Sequence, residues 1–338
     1  MLTRRYTGIG ALLVAASLAM AGCGTSSGSS GGSGASVQLA LVAYSTPQGA
    51  FTKLIKAFQA TPAGKSITFT QSYGASGDQS RAVAAGLKAD IVNFSLAPDM
   101  TRLVKAKLVD ASWNSGQYKG MITDSVVVIG TRKGNPKSIK DWSDLTKPGV
   151  QVITPNPFTS GGARWNIMAA YGATSGKGSD KQAGVSYLNA LFKNVPVQDD
   201  SARKSIQTFV GGKGDAFLSY ESEAINAQRN NQPVDYTVPS STILIENPIA
   251  VTSESQHKKQ AQAFLDFLYT LQAQQIWADS GYRPVVSGAA TGKFPTPSNL
   301  FTITDLGGWT KVATDFFDTT NGIMAGVEKS IGVTVAAK

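Results

Sequence analysis

Apolar and polar positions alternate in blocks along the chain. Residues 37–44 predict a strand, and residues 51–59 a helix with Leu54, Ile55 and Phe58 on one side. The same pair of signals recurs twice: a strand over 66–70 before a helix over 76–87, and a strand over 89–94 before a helix over 98–107. Such alternation is the mark of α/β architecture with parallel strands. The unbroken apolar run 125–131 predicts a buried strand entering a second lobe. Helices are expected at 160–171, 181–192 and 203–210, and a further buried strand at 215–220. Residues 241–252, broken by Pro248, are expected to return to the first lobe. Residues 259–278 predict one long amphipathic helix with Ala261, Phe264, Leu265, Leu268 and Leu271 in register.

Two junctions in this pattern carry chemistry. At Ser160-Gly161-Gly162 a short strand and a Pro/Asn turn open into a helix. The first amides of a helix have no internal partner and lie at the positive end of its dipole. Two glycines there let a small anion approach those amides, and Ser160 adds an N-cap hydroxyl. The segment is built either to cap a helix or to hold an oxyanion. A second strand-to-helix turn, Gly74-Ala75-Ser76-Gly77, repeats the device upstream. The two could face one another across a cleft.

The first residues read as a targeting segment. Arg4 and Arg5 precede an apolar stretch over 9–20, too short for a comfortable membrane span. Met20-Ala21-Gly22-Cys23 resembles a bacterial lipobox, with methionine where leucine is usual, and Cys23 is the single cysteine. The Gly/Ser-rich run 24–35 then reads as a flexible tether, so Cys23 is expected to be lipidated and to hold the body at the outer face of the cytoplasmic membrane. One cysteine excludes an intramolecular disulfide. The chain carries 31 Lys and Arg against 22 Asp and Glu, scattered without interleaved aromatics. We read this as a solvated basic face rather than a nucleic-acid surface.

The chain resembles the sulfate-binding protein family, the extracytoplasmic receptors of sulfate/thiosulfate ABC importers. The resemblance is carried by Gly74-Ala75-Ser76-Gly77, Arg132-Lys133-Gly134-Asn135-Pro136, Lys147-Pro148-Gly149-Val150, Ile153-Thr154-Pro155-Asn156-Pro157, Ser160 through Asn166, Gly214-Asp215 and Tyr282-Arg283-Pro284. It spans residues from about 37 to beyond 309. The resemblance implies an α/β, two-lobed periplasmic-binding-protein-like fold of type II. Each lobe would be a mixed, mainly parallel sheet flanked by helices, and two strands would form the hinge. The expected divisions are a signal peptide at 1–22, lipidated Cys23 and tether at 23–36, lobe 1 at 37–122 plus 241–338, and lobe 2 at 123–240. It further implies sulfate held without a cofactor, metal or bound cation, by the Ser160 hydroxyl and the amides of Ser76, Gly161, Gly162 and Ala202. The partners implied are an ABC permease with a cytoplasmic ATPase, and the receptor is expected to be a monomer. Two positions depart from the family pattern. Tyr220 stands where a tryptophan reaches the anion, and Ser45 where an aspartate orders the first binding loop.

Thiosulfate shares three oxygens with sulfate and fits the same donors, whereas molybdate is larger. Arg164 and Arg203, just inside their helices, are expected to make salt bridges or lobe-closure contacts rather than to pair with the anion. Enzymatic readings are poorly served. His257 is the single histidine and sits in a polar helix start, so neither a Ser-His-Asp triad nor a His-rich metal site is supported. Gly172 through Gly178 has the wrong spacing for a phosphate-binding P-loop. The pairs Asp199/Asp200 and Glu221/Glu223 are expected on solvated faces or at helix starts. An ester hydrolase and an adhesive surface lipoprotein remain the alternatives of other classes.

Overall fold

The computed structural model describes residues 36–290, 294–333 and 335. The signal peptide, the tether and Cys23 lie outside the described residues. The chain begins β1 (Val37–Tyr44), α1 (Gln48–Gln59), β2 (Ile67–Gly74), α2 (Ser76–Ala84), β3 (Ile91–Asn93), α3 (Ala97–Lys105) and β4 (Met121–Arg132). It continues β5 (Val152–Ile153), α4 (Gly161–Thr174), α5 (Lys181–Lys193), α6 (Ala202–Val210), β6 (Ala216–Tyr220), α7 (Glu221–Arg229), β7 (Val234–Thr237) and β8 (Ser241–Val251). It ends α8 (Lys258–Leu268), α9 (Leu271–Asp279), β9 (Arg283–Pro284), β10 (Asn299–Phe301), α10 (Gly308–Phe317) and α11 (Ile323–Ser330).

The strands form one path, β2-β1-β3-β8-β4-β6-β5, with β10 beside β8 and β7 and β9 beside β4. β4 and β8 are long and pair antiparallel at their centre. One end of β8 continues to β3, and the far end of β4 continues to β6 and β7. These two strands join the lobes. β1 pairs parallel with both β2 and β3. Toward the second lobe β5 pairs parallel with β6 and β10 with β8, while β4 runs antiparallel to β6 and β7. The sheet there is mixed, as expected, but not mainly parallel.

Period-2 alternation explains how helices cover both faces. In β1, Leu39, Leu41 and Ala43 point to a core shared with Phe51, Phe58 and Phe264, while Val42 points to Met100 and Leu103 on the other face. In β4, Val127 and Ile129 pack with Trp165 and Leu191, and Val126 and Val128 with Phe209 and Phe217. The apolar run 125–131 therefore has no polar face because both of its faces are covered.

Two expectations need correction. β8 is not broken at Pro248. The proline sits beside a register irregularity opposite Met121, where a missing N–H is tolerated, and its carbonyl accepts from the Phe94 amide at 3.0 Å. The long helix is two helices, α8 and α9. Thr270 leaves the helical conformation and its hydroxyl accepts from the Ala273 amide at 3.2 Å, starting a new helix. The break also rotates Leu271 outward, to 59% exposure. Residues 299–331 touch both lobes, with α10 also lying against α3. Phe301, Val312, Phe316, Met324 and Val327 share a core with Trp142, Trp165 and Leu188, and Trp309 meets Trp165 edge-on at 4.7 Å. The apolar face of α10 and α11 finds its cover there.

Candidate functional site

The turns that follow β1, β2, β3 and β5, the end of β6 and the start of α6 meet at one cavity. This is the edge of an α/β sheet where ligands generally sit, outside the carboxyl ends of strands. All seven expected residues line it: Ser45, Ser76, Ser160, Gly161, Gly162, Ala202 and Tyr220. Tyr44, Ala75, Ser95 and Ser201 complete the lining, and no acidic or basic side chain is part of it. The cavity volume is about 10 Å³, far below the ~300–1,000 Å³ of pockets for drug-sized ligands. A groove of about 1100 Å³ elsewhere on the first lobe is lined by Lys88, Asp90, Glu254 and His257 among others. It carries charged side chains and collects no helix N-terminal pair, so the small cavity is the better candidate.

Three helices begin at the cavity: α2 at Ser76, α4 at Gly161 and α6 at Ala202. Ser160 is the N-cap of α4, its hydroxyl accepting from the Ala163 amide at 3.3 Å. Ser201 caps α6 in the same way, accepting from the Lys204 amide at 3.4 Å. Capping and anion binding are thus compatible uses of one serine: its lone pair faces the helix and its hydrogen is left for the cavity. The glycines are required by packing. A Cβ on Gly161 would lie 2.5 Å from Ser95 Oγ, and one on Gly162 would lie 2.9 Å from Tyr220 Cε2.

Behind this neutral lining sits a shell of buried charge. Asp99 is buried, accepts from Ser76 Oγ at 2.6 Å and pairs with Arg102 at 2.9 Å. Glu223 is buried and takes two bonds from Arg203, each 2.8 Å, while Arg203 also donates to the Thr46 carbonyl at 2.7 Å. Glu221 is buried and pairs with Arg283 at 2.7 Å. Of the two expectations for Glu221 and Glu223, the helix start holds and the solvated face does not. Both lie in the first turn of α7, but inside the protein, each held by an arginine. Burial raises the Glu223 carboxyl and Arg203 opposes the rise. Arg203 makes the expected salt bridge, and its bond to Thr46 joins α6 to the loop after β1. Arg164 donates to the Pro157 carbonyl at 2.9 Å and lies over the Phe317 ring at 4.9 Å. Among the described residues no group of three or more His, Cys, Asp or Glu is placed to hold a metal ion.

Residues 39–283 match the family of bacterial extracellular solute-binding proteins. Over 327 residues the chain is 41% identical to the sulfate-binding protein of Synechococcus elongatus, covering 93% of each. The chain belongs to the sulfate-binding protein family. It is also 37% identical over 269 residues to the thiosulfate-binding protein of Escherichia coli, covering 75% of this chain and 79% of that one. Among solved structures, the sulfate-binding protein SubI from Mycobacterium tuberculosis superposes with a TM-score of 0.82 at 46% identity, covering 83% of this chain and all of that one. These relatives are named as binding proteins, not as enzymes.

Ser95 and Ser201 escaped the reading of the sequence. Ser201 had a visible signal, since Asp200-Ser201-Ala202 precedes a helix as an N-cap should. Ser95 had one too. It lies between an apolar strand and a helix opened by Pro98, the same strand-turn-helix device found at Ser76 and Ser160.

Proposed function

We propose that this protein is an extracytoplasmic receptor that closes on sulfate in the cavity and delivers it to an ABC permease driven by a cytoplasmic ATPase. The observation that carries this reading is the meeting of three helix N-termini and several hydroxyls at one small cavity with an uncharged lining. The donors would be the Ser160 hydroxyl and the amides of Ser76, Gly161, Gly162 and Ala202, with Tyr220 contributing its phenol and Ser45 supporting the first loop. Each helix end supplies roughly half a positive charge. A dianion therefore meets about 1.5 charges of field without a counter-ion beside it. Burial pushes the Tyr220 phenol up from its ordinary value, so it remains a donor at every physiological pH.

Anion bound to one lobe favours the closed state by adding contacts from the other. We assign lobe 1 to 37–122 with 241–298, and lobe 2 to 123–240 with the C-terminal 299–331. Cys23 would anchor the protein by lipid to the outer face of the membrane, and the receptor would act as a monomer without catalysis. Thiosulfate is the second reading, favoured by the thiosulfate-binding relative.

Calorimetric titration with sulfate, thiosulfate, molybdate and phosphate tests the proposal. Near neutral pH phosphate usually retains a proton that needs an acceptor, and a donor-only pocket leaves it unpaired. Such a mismatch supports discrimination of about 10⁴. We expect saturable sulfate binding that equimolar phosphate does not displace. Displacement by phosphate, or absence of saturable binding by any of the four anions, would overturn the proposal.

A further inference from the structure

We propose that Ser95 is a ligand-site residue whose hydroxyl pairs with that of Tyr220 to form a latch between the lobes, leaving one hydrogen of the pair to donate into the cavity. The inference rests on the sulfate-receptor reading and names a residue of that site outside the family contacts carried over above.

The two oxygens are 2.5 Å apart, both residues are buried, and both line the cavity. Ser95 follows β3 and Tyr220 ends β6, and β8 and β4 separate these strands in the sheet. The bond therefore exists only while the lobes are closed. Two hydroxyls carry two hydrogens, of which one occupies the gap between them. Neither oxygen has another hydrogen-bond partner among the described residues. The second hydrogen has the cavity in front of it. A hydroxyl that accepts a bond donates more strongly in turn, so the pair is a better donor than a lone phenol.

The rest of Ser95 is fixed so that its hydroxyl has one direction to take. Its amide donates to Ser76 Oγ at 3.0 Å, and Ser76 in turn donates to buried Asp99. Its carbonyl accepts from Trp165 Nε1 at 2.8 Å, which reaches over from α4, and from Asn247 Nδ2 at 2.9 Å on the hinge strand β8. The two glycines of the α4 turn make room for the two latch partners, Gly161 for Ser95 and Gly162 for Tyr220. The geometry thus links loop order, closure and donation in one contact.

Stopped-flow kinetics with sulfate tests the latch. A contact formed only on closure acts on release. Ser95→Ala should raise the release rate about tenfold and leave association within about twofold of the parent. Tyr220→Phe should raise release to a similar degree, and it carries the test if the alanine variant melts below the parent when ligand-free. A merely structural role for Ser95 would lower the ligand-free melting temperature without this split between release and association. Release unchanged in both variants, while Ser160→Ala weakens sulfate binding, would overturn the latch and leave the receptor reading intact. If Ser160→Ala is also without effect, the site assignment falls and the latch falls with it.

Discussion

The cavity lining carries no formal charge, whereas the layer directly behind it holds Asp99, Glu221 and Glu223, each buried and each paired with an arginine. The two layers do different work. On the proposed reading, lining groups would face the guest, and neutral donors at fixed helix ends would replace the water that a dianion loses. The shell groups face the lining. Asp99 holds the Ser76 hydroxyl, and Glu223 orients Arg203 toward the Thr46 carbonyl beside Ser45. If the proposal holds, a charge in the shell sets loop geometry, and a hydroxyl or amide in the lining sets affinity. Variants of the two layers should separate along these axes.

The largest expected effect is in the lining. Gly161→Val places methyl groups where Ser95 and Leu96 already sit, with the first added carbon 2.5 Å from Ser95 Oγ. It blocks both the amides and closure, so sulfate affinity should drop by at least about 100-fold in calorimetry. Unchanged affinity would detach this cavity from the ligand. Next comes a shell variant. Arg203→Met leaves Glu223 buried without its partner and should cost about 3 kcal/mol in urea unfolding, the low end for a broken buried pair because Arg203 is partly exposed. Its effect on affinity should be the smaller one. Ser160→Ala should do the opposite. Loss of one donor to an ion weakens sulfate about 10- to 100-fold, while loss of the N-cap costs about 1 kcal/mol of stability. A lining variant that lost chiefly stability, or a shell variant that lost chiefly affinity, would invert the comparison.

The smallest expected effect lies in the hinge, outside both layers. Asp124 on β4 stands opposite Glu246 on β8 and opposite Arg283 on β9. Burial, and then Glu246, push the Asp124 carboxyl up to about 7 against the pull of Arg283. The folded protein therefore holds a proton that the unfolded chain releases near pH ~3.9. This group's contribution is fully present below about pH 4 and is lost as pH rises through about 7. Asp124→Asn should raise the melting temperature by about 2–4 °C at pH 7.5 and leave it unchanged at pH 4. Equal shifts at both pH values would show that the carboxyl does not titrate in this range.

Much of the fold was legible because the strands are short, apolar and bounded by turns. Residues 37–44 form β1 as expected, and the starts of α4, α5 and α6 fall within two residues of those expected. Local pattern failed where tertiary context decides. The apolar register from Ala261 to Leu271 gave no sign that Thr270 would cap a new helix. Glu221 and Glu223 look like any acidic helix start until Arg283 and Arg203 arrive from distant segments. The C-terminal helices are amphipathic, but which lobe covers them depends on a core assembled around Trp142 and Trp165. The site was readable at the turns where glycine and serine open helices, and Ser95 was missed because it has no glycine beside it.

The central claim is tested most directly by the crystal structure of the sulfate complex. The account predicts the anion in the small cavity, at about 2.7–3.1 Å from the Ser160 hydroxyl and the amides of Ser76, Gly161, Gly162 and Ala202. No lysine or arginine side chain should lie within hydrogen-bond reach of it. Sulfate bound elsewhere, or neutralised by a side chain such as Arg203 or Arg164, would contradict the account.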